Sequence, residues 1–172
     1  GIVQDVDIPI AKAPEFLRFF SEEIGIRPVW MCPIGGHDPT RHYPLYPLHG
    51  DGLFINFGFW DIVPNPHKHE SGHFNRKIEA KVQALGGIKS LYSDAYYDED
   101  RFWQLYDGEL YFKLKQKYDP QGRLRNLYQK CVLKQLHRTP SIESIEANSQ
   151  LMCRPQASIG SCLGVDWRVL SE

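Results

Sequence analysis

The chain has 172 residues, a formal net charge of −1 and a sequence pI near 6.7, long enough for one domain with its own core and too balanced in charge to be drawn to nucleic acid or anionic lipid. Cys32, Cys131, Cys153 and Cys162 form no C-x-x-C pair, so free thiols in a reducing, cytoplasmic setting are expected rather than a zinc or dithiol site. No run of about 18 apolar residues and no charged-then-apolar leader occurs, which predicts no membrane span in this portion and no secretory signal.

The chain starts without Met, directly in the β-branched stretch "IVQDVDIPI", which reads as a strand running into a turn and as part of a longer protein. "KAPEFLRFFSEEIG" then places Phe16, Leu17, Phe20 and Ile24 at helical spacing, with Pro14 near the start and Gly25 at the end. "RPVWMCPIG" is a short apolar run bounded by Pro28 and Gly35, a second strand, and the turn-rich "GGHDPTRHYPLYPLHGDG" leads to an aromatic third strand, "LFINFGFWDIV".

The next segment holds "HKHESGH", in which His69, Glu70 and His73 spell H-E-x-x-H, the pattern of a zinc hydrolase when both histidines lie on one helix. Pro64 and Pro66 precede it and Ser71-Gly72 separates the histidines, which predicts a loop entering a helix and no structural zinc. The helix pattern itself runs through Phe74, Ile78, Val82 and Leu85 to a stop at Gly86-Gly87. "IKSLYSDAYY" is predicted as a fourth strand, and Asp98 as the cap of a further helix through "DEDRFWQLYDGELYFKLKQKY" that Asp107-Gly108 can divide.

The order β-α-β-β-α-β predicts an α+β fold of the ferredoxin-like, split βαβ type: an antiparallel four-stranded sheet with two helices on one face and an extra C-terminal helical segment. Side chains alternate across a strand, so Phe54, Asn56, Gly58 and Trp60 share a face, as do Ser90, Tyr92, Asp94 and Tyr96, with Asp5 and Asp7 alternating likewise. Such a mixed aromatic and polar face suits a ligand or a second domain; equally, Asn56 and Asp94 can simply hydrogen-bond at a solvated face. Composition changes near residue 132: 21 of 22 aromatic residues precede it, so 1–132 is predicted as the domain and 133–172 as a poorly patterned tail.

The stretches "VQDVDIPI", "RPVWMCPI", "LFINFGFWD" and "GGIKSLYSDAYYDEDRFWQLYDGELYFKLKQKYDPQGRLRNLYQKC" together resemble the C-terminal half of FAD-linked oxidoreductases of the vanillyl-alcohol oxidase superfamily, and within it the delta-24-sterol reductase-like branch. The resemblance covers roughly residues 3–132. It implies a cap whose sheet lies over a flavin and a small-molecule substrate, with the FAD held mainly by an N-terminal FAD-binding domain of the same protein. It also implies that Tyr92, Ser93 and Asp94 approach the flavin, and that Tyr118, Asp119, Pro120, Gly122, Arg123 and Leu124 form a closing element returning the chain toward that domain. Related decaprenylphosphoryl ribose oxidases carry a lysine where Ser93 stands here, a departure from their sugar chemistry.

On this reading Asn56, Tyr92 and Asp94 are candidate polar contacts to substrate or flavin edge, Trp60 and Phe54 the apolar wall, and no catalytic residue is assigned. No G-x-G-x-x-G opens a helix in these residues, so the chain alone is expected neither to hold FAD tightly nor to turn over. The rival readings are a non-catalytic ferredoxin-like interaction module and the zinc hydrolase.

Overall fold

The structure, a computed structural model, describes residues 1–35, 41, 43–48, 52–64 and 67–135; the predicted tail lies outside the described residues from 136 onward. Strand β1 (Ile2–Pro9) turns Ile2, Gln4, Val6 and Ile8 to one side, all buried, and Val3, Asp5, Asp7 and Pro9 to the other. After a 3-10 turn at Ile10–Lys12, α1 (Ala13–Glu23) carries Pro14 in its first turn, where a missing N–H breaks no helical bond. It ends where Gly25 takes φ +78 and its N–H returns to Phe20 O at 2.9 Å.

Strands β2 (Trp30–Ile34) and β3 (Phe54–Asp61) follow, then α2 (His73–Ala84) and β4 (Ile88–Lys89). The sheet order is β2-β3-β1-β4, with every neighbouring pair antiparallel. That is the predicted split βαβ arrangement. Phe16 and Phe20 of α1 and Ile78 and Val82 of α2 pack on Val6, Ile8, Phe57 and Phe59 of the sheet to form the main core. Phe20 and Phe59 lie 4.3 Å apart between ring centroids and Phe16 and Phe57 4.9 Å. Each such buried ring contributes roughly 1.5–3 kcal/mol relative to leaving it in water.

The predicted fourth strand over residues 88–97 is corrected: it pairs only at Ile88–Lys89, with one further backbone bond from Ser90 N to Asp5 O at 2.9 Å. The alternation of Ser90, Tyr92, Asp94 and Tyr96 imitates a strand, but Lys89 overrides it. Its fully buried ammonium donates to Glu79 Oε1 at 2.8 Å and to the carbonyl of Asp94, so the chain turns back at Leu91–Ser93 to bring that carbonyl within reach.

The long predicted helix divides at Asp107 into α3 (Glu99–Leu105) and α4 (Gly108–Tyr118). Asp107 adopts φ +44 and its carboxylate accepts from Leu110 N at 3.0 Å, while a Cβ at Gly108 would sit 2.8 Å from Trp103 Cβ. A short α5 (Leu127–Cys131), closed by an Asn126–Gln129 capping box, was not predicted as a helix. It joins Phe102 of α3, Tyr106 just after that helix, Ile88, Tyr97 and the partly buried Tyr46 and Leu48 in a second core beside β4.

Candidate functional site

The sheet face opposite α1 and α2 follows directly from the register. Trp30, Gly58 and Asp5 form one row across β2, β3 and β1; Cys32, Asn56 and Asp7 form the next; Trp60 stands beside Val3. Trp30 and Trp60 are 61% and 62% exposed, whereas Asp7 is only 3% exposed. A buried carboxylate needs donors. Asp7 receives two, from the Tyr46 hydroxyl to Oδ2 at 2.5 Å and from Asn56 Nδ2 to Oδ1 at 2.8 Å, and the Tyr46 oxygen also lies 3.1 Å from Ser90 Oγ.

Asp5 is organised differently. Gly58 stands opposite it, and a Cβ there would meet Asp5 Oδ1 at 2.5 Å and Trp30 Cβ at 3.3 Å. The glycine therefore vacates the space in which the Asp5 carboxylate and the Trp30 side chain approach each other. The Tyr92 phenol lies beside Asp5. Burial first, and then the charge of Asp5, raise the Tyr92 phenol above its ordinary range; burial and the hydrogen bond to Asp7 raise that of Tyr46.

Of the residues predicted for the site, Asn56 lies on this face and bonds Asp7. Tyr92 stands near Asp5, but on the turn after β4 rather than on a strand. Trp60 is an exposed wall; Phe54, on the same side of β3, is 2% exposed and covered. The structure does not bring Asp94 to this set. Its carbonyl accepts from Lys89 on the helix-covered side, and its carboxylate pairs with Lys134 at 2.8 Å. Ser93 Oγ is buried and has no hydrogen-bond partner among the described residues.

Asp5, Asp7, Tyr46 and Ser90 were not among the predicted contacts. For the aspartates the signal was present, as two acids on one face of a strand otherwise apolar but for Gln4. Tyr46 sits in a proline-rich loop without periodicity and meets Asp7 across 39 residues of sequence, so nothing local marks it.

The H-E-x-x-H segment does enter a helix rather than lie within one: His73 opens α2 and His69 precedes it in the loop. Their rings stack, 3.9 Å between centroids and 8° between planes. Among the described residues no group of three His, Cys, Asp or Glu side chains could hold a metal ion, and no helix is long and apolar enough to cross a membrane. A shallow groove of about 420 Å³ lined by Asp100, Trp103, Gln104, Gly108, Glu109 and Phe112 lies on α3 and α4 and shares no residue with the sheet face.

Comparison with known proteins relates the chain to sterol reductases. It is 29% identical over 130 residues to Delta(24)-sterol reductase of Homo sapiens, covering 75% of this chain and 25% of that protein. To the Arabidopsis thaliana Delta(24)-sterol reductase it is 23% identical over 144 residues, covering 75% of this chain and 26% of that one. A Delta(24)-sterol reductase homolog of Caenorhabditis elegans is 24% identical over 113 residues, covering 64% and 21%. The chain thus spans about a quarter of the length of the curated relatives it matches. No protein-family model matches it, and no solved structure does.

Proposed function

We propose that this chain is the substrate-side portion of a flavin-dependent oxidoreductase of the sterol reductase type, its open sheet face orienting an apolar substrate against FAD held by an N-terminal domain of the same protein. The similarity to Delta(24)-sterol reductases supports the reaction class. The observation that carries the reading is the open face itself, where the indoles of Trp30 and Trp60 flank Asp5, and Asp7, Tyr46 and Asn56 are locked together by hydrogen bonds. Fixed polar groups between apolar walls are what a pre-organised ligand surface requires.

The donor and acceptor set fits one part of FAD. Carboxylate, hydroxyl and amide groups at Asp5, Tyr92, Ser90 and Asn56 can meet the polar edge of a ring system, and the indoles can cover its apolar part. A pyrophosphate needs cations or a backbone nest, which the residues of this face do not offer. The flavin, when bound, supplies the hydride chemistry. The residues of this chain orient the substrate, exclude water with Trp30 and Trp60, and hold hydroxyl protons at Tyr46 and Tyr92.

The test is made on the full-length protein. Its purified form should carry a flavin absorption band, and Tyr92→Phe should lower turnover roughly tenfold to a thousandfold with little change in thermal midpoint, because it removes one hydroxyl from a mostly exposed ring. A full-length protein without flavin sinks the proposal. The exposed Val3, Trp30, Trp60 and Ile62 then favour the second reading, a non-catalytic module whose sheet face binds another protein.

A further inference from the structure

We infer that the end of α4 and the turn that follows it form a docking surface for an anionic lipid bilayer, with Lys117 and Arg123 meeting the headgroups and Tyr118 and Leu124 entering the interface between them. The inference goes beyond the proposed function and does not depend on it.

The formal net charge of −1 conceals an uneven distribution. Residues 113–134, "KLKQKYDPQGRLRNLYQKCVLK", hold seven Lys and Arg against one acid, Asp119. That acid is spent inward. Its carboxylate accepts from Lys115 Nζ at 2.6 Å and from the amides of Arg123 and Leu124 at 2.7 and 2.9 Å, and its side chain is 11% exposed. Asp119 and Lys115 thus neutralise each other, and the same bonds gather Lys117, Tyr118, Arg123 and Leu124 around one turn.

Part of the positive charge has a local cause. Lys115 and Lys117 complement the negative end of α4. Lys113 and Lys134 pair with Glu109 and Asp94 at 2.7 and 2.8 Å, but all four of these side chains are more than half exposed, and such pairs hold weakly. Arg123 lies outside both α4 and α5, where no helix end calls for it, and is exposed.

What these cations surround is apolar. Tyr118 is 74% exposed and Leu124 71%, more than either indole of the open sheet face, and the Lys117 ammonium lies 5.2 Å from the centre of the Tyr118 ring. A leucine and a phenol held out among long cationic side chains match the boundary of a bilayer. The aliphatic stems and the ring lie at the acyl level while the charged heads reach lipid phosphates. A polynucleotide would use the cations and the ring, but not the leucine.

The experiment uses the full-length protein with phosphatidylcholine vesicles that contain or lack phosphatidylserine. Acetylation of Lys117, read by mass spectrometry, reports on the patch itself whatever else in the protein touches lipid. Lys117 should react readily without vesicles, lose most of that reactivity with phosphatidylserine present, and keep it with phosphatidylcholine alone. Arg123→Gln should raise the lipid concentration that half-protects Lys117 about fivefold, and Leu124→Ser about tenfold. Both side chains are exposed, so thermal midpoints should stay at the wild-type value. Lys117 already unreactive before vesicles are added would show that the rest of the protein covers the patch, and overturns the inference. So does equal protection by phosphatidylcholine, protection by nucleic acid but not by vesicles, or a half-protecting concentration that either substitution leaves unmoved.

Discussion

Lys89 has no exposed surface, yet its ammonium group sits 2.8 Å from Glu79 Oε1, with the Glu79 side chain 4% exposed. Both Glu79 oxygens also accept from Tyr96 N at 3.2 Å, and the Lys89 carbonyl accepts from the Tyr106 hydroxyl at 2.6 Å. Burial pushes the Glu79 carboxyl up and the Lys89 ammonium down, and each partner's charge works against that push in the other. Breaking such a pair leaves one charge stranded. Lys89→Met should therefore cost on the order of 3–5 kcal/mol in urea unfolding, and Lys89→Met with Glu79→Gln should cost clearly less, because the amide can still accept from Tyr96 N. Equal losses in the two proteins would show that the ion pair is not the reason Lys89 is kept.

At the scale of elements, the turn after α4 is built around one side chain. The Asp119 carboxylate accepts from Lys115 Nζ at 2.6 Å, Arg123 N at 2.7 Å and Leu124 N at 2.9 Å, while Gly122 supplies a positive φ of 60°. Lys115 first, and the Leu124 and Arg123 amides with it, bring the Asp119 carboxyl from an ordinary 3.8 down to about 2. A depressed carboxylate stabilises the fold above its unfolded value and loses that contribution as pH falls toward the folded one. Denaturant midpoints of the wild-type chain and Asp119→Asn should accordingly differ above pH 3.8 and converge by about pH 2; a constant difference across that window would dismiss the charge as the cause. The family resemblance singled out the DP-x-GRL pattern, but nothing in the sequence explained its aspartate. The split βαβ order was readable because periods of 2 and 3.6 alternate cleanly through Ala84, and the division at Asp107-Gly108 because those two residue types favour a break. The far end of β4 was misread because a single buried lysine, not the local pattern, decides where that strand stops. The helix at Leu127–Cys131 carries a capping box in its sequence, yet at five residues it shows too little periodicity to stand out.

Across the whole described molecule, the sheet divides labour between its sides. One side is buried by α1 and α2 through Phe16, Phe20, Ile78 and Val82, and the other keeps Asp5, Trp30, Trp60 and Tyr92 at or near the surface. The second core beside β4 anchors this open side at one margin, since Tyr46 packs within that core while its hydroxyl reaches Asp7. The candidate face was legible only in part for the same reason. Strand alternation reveals which residues share a side, but Tyr46 and Tyr92 arrive from a loop and a turn whose positions depend on the second core.

The two margins of the sheet also differ in what they offer to another polypeptide. β4 ends after two residues, and β2, paired on one side only, carries Pro33 at its fourth position, opposite Ile55. A proline interrupts the row of donors that a foreign strand would use, and a two-residue edge is too short to template one. Both margins thus resist strand addition, which protects a sheet whose open side carries exposed indoles from growing into intermolecular assemblies. Pro33→Val restores a donor and adds a β-branched side chain at the longer margin. It should leave the thermal midpoint within a few degrees of wild type while raising concentration-dependent light scattering on mild heating. Unchanged scattering across a tenfold range of concentration would mean that the exposed indoles, and not the edge, govern how this protein stays dispersed.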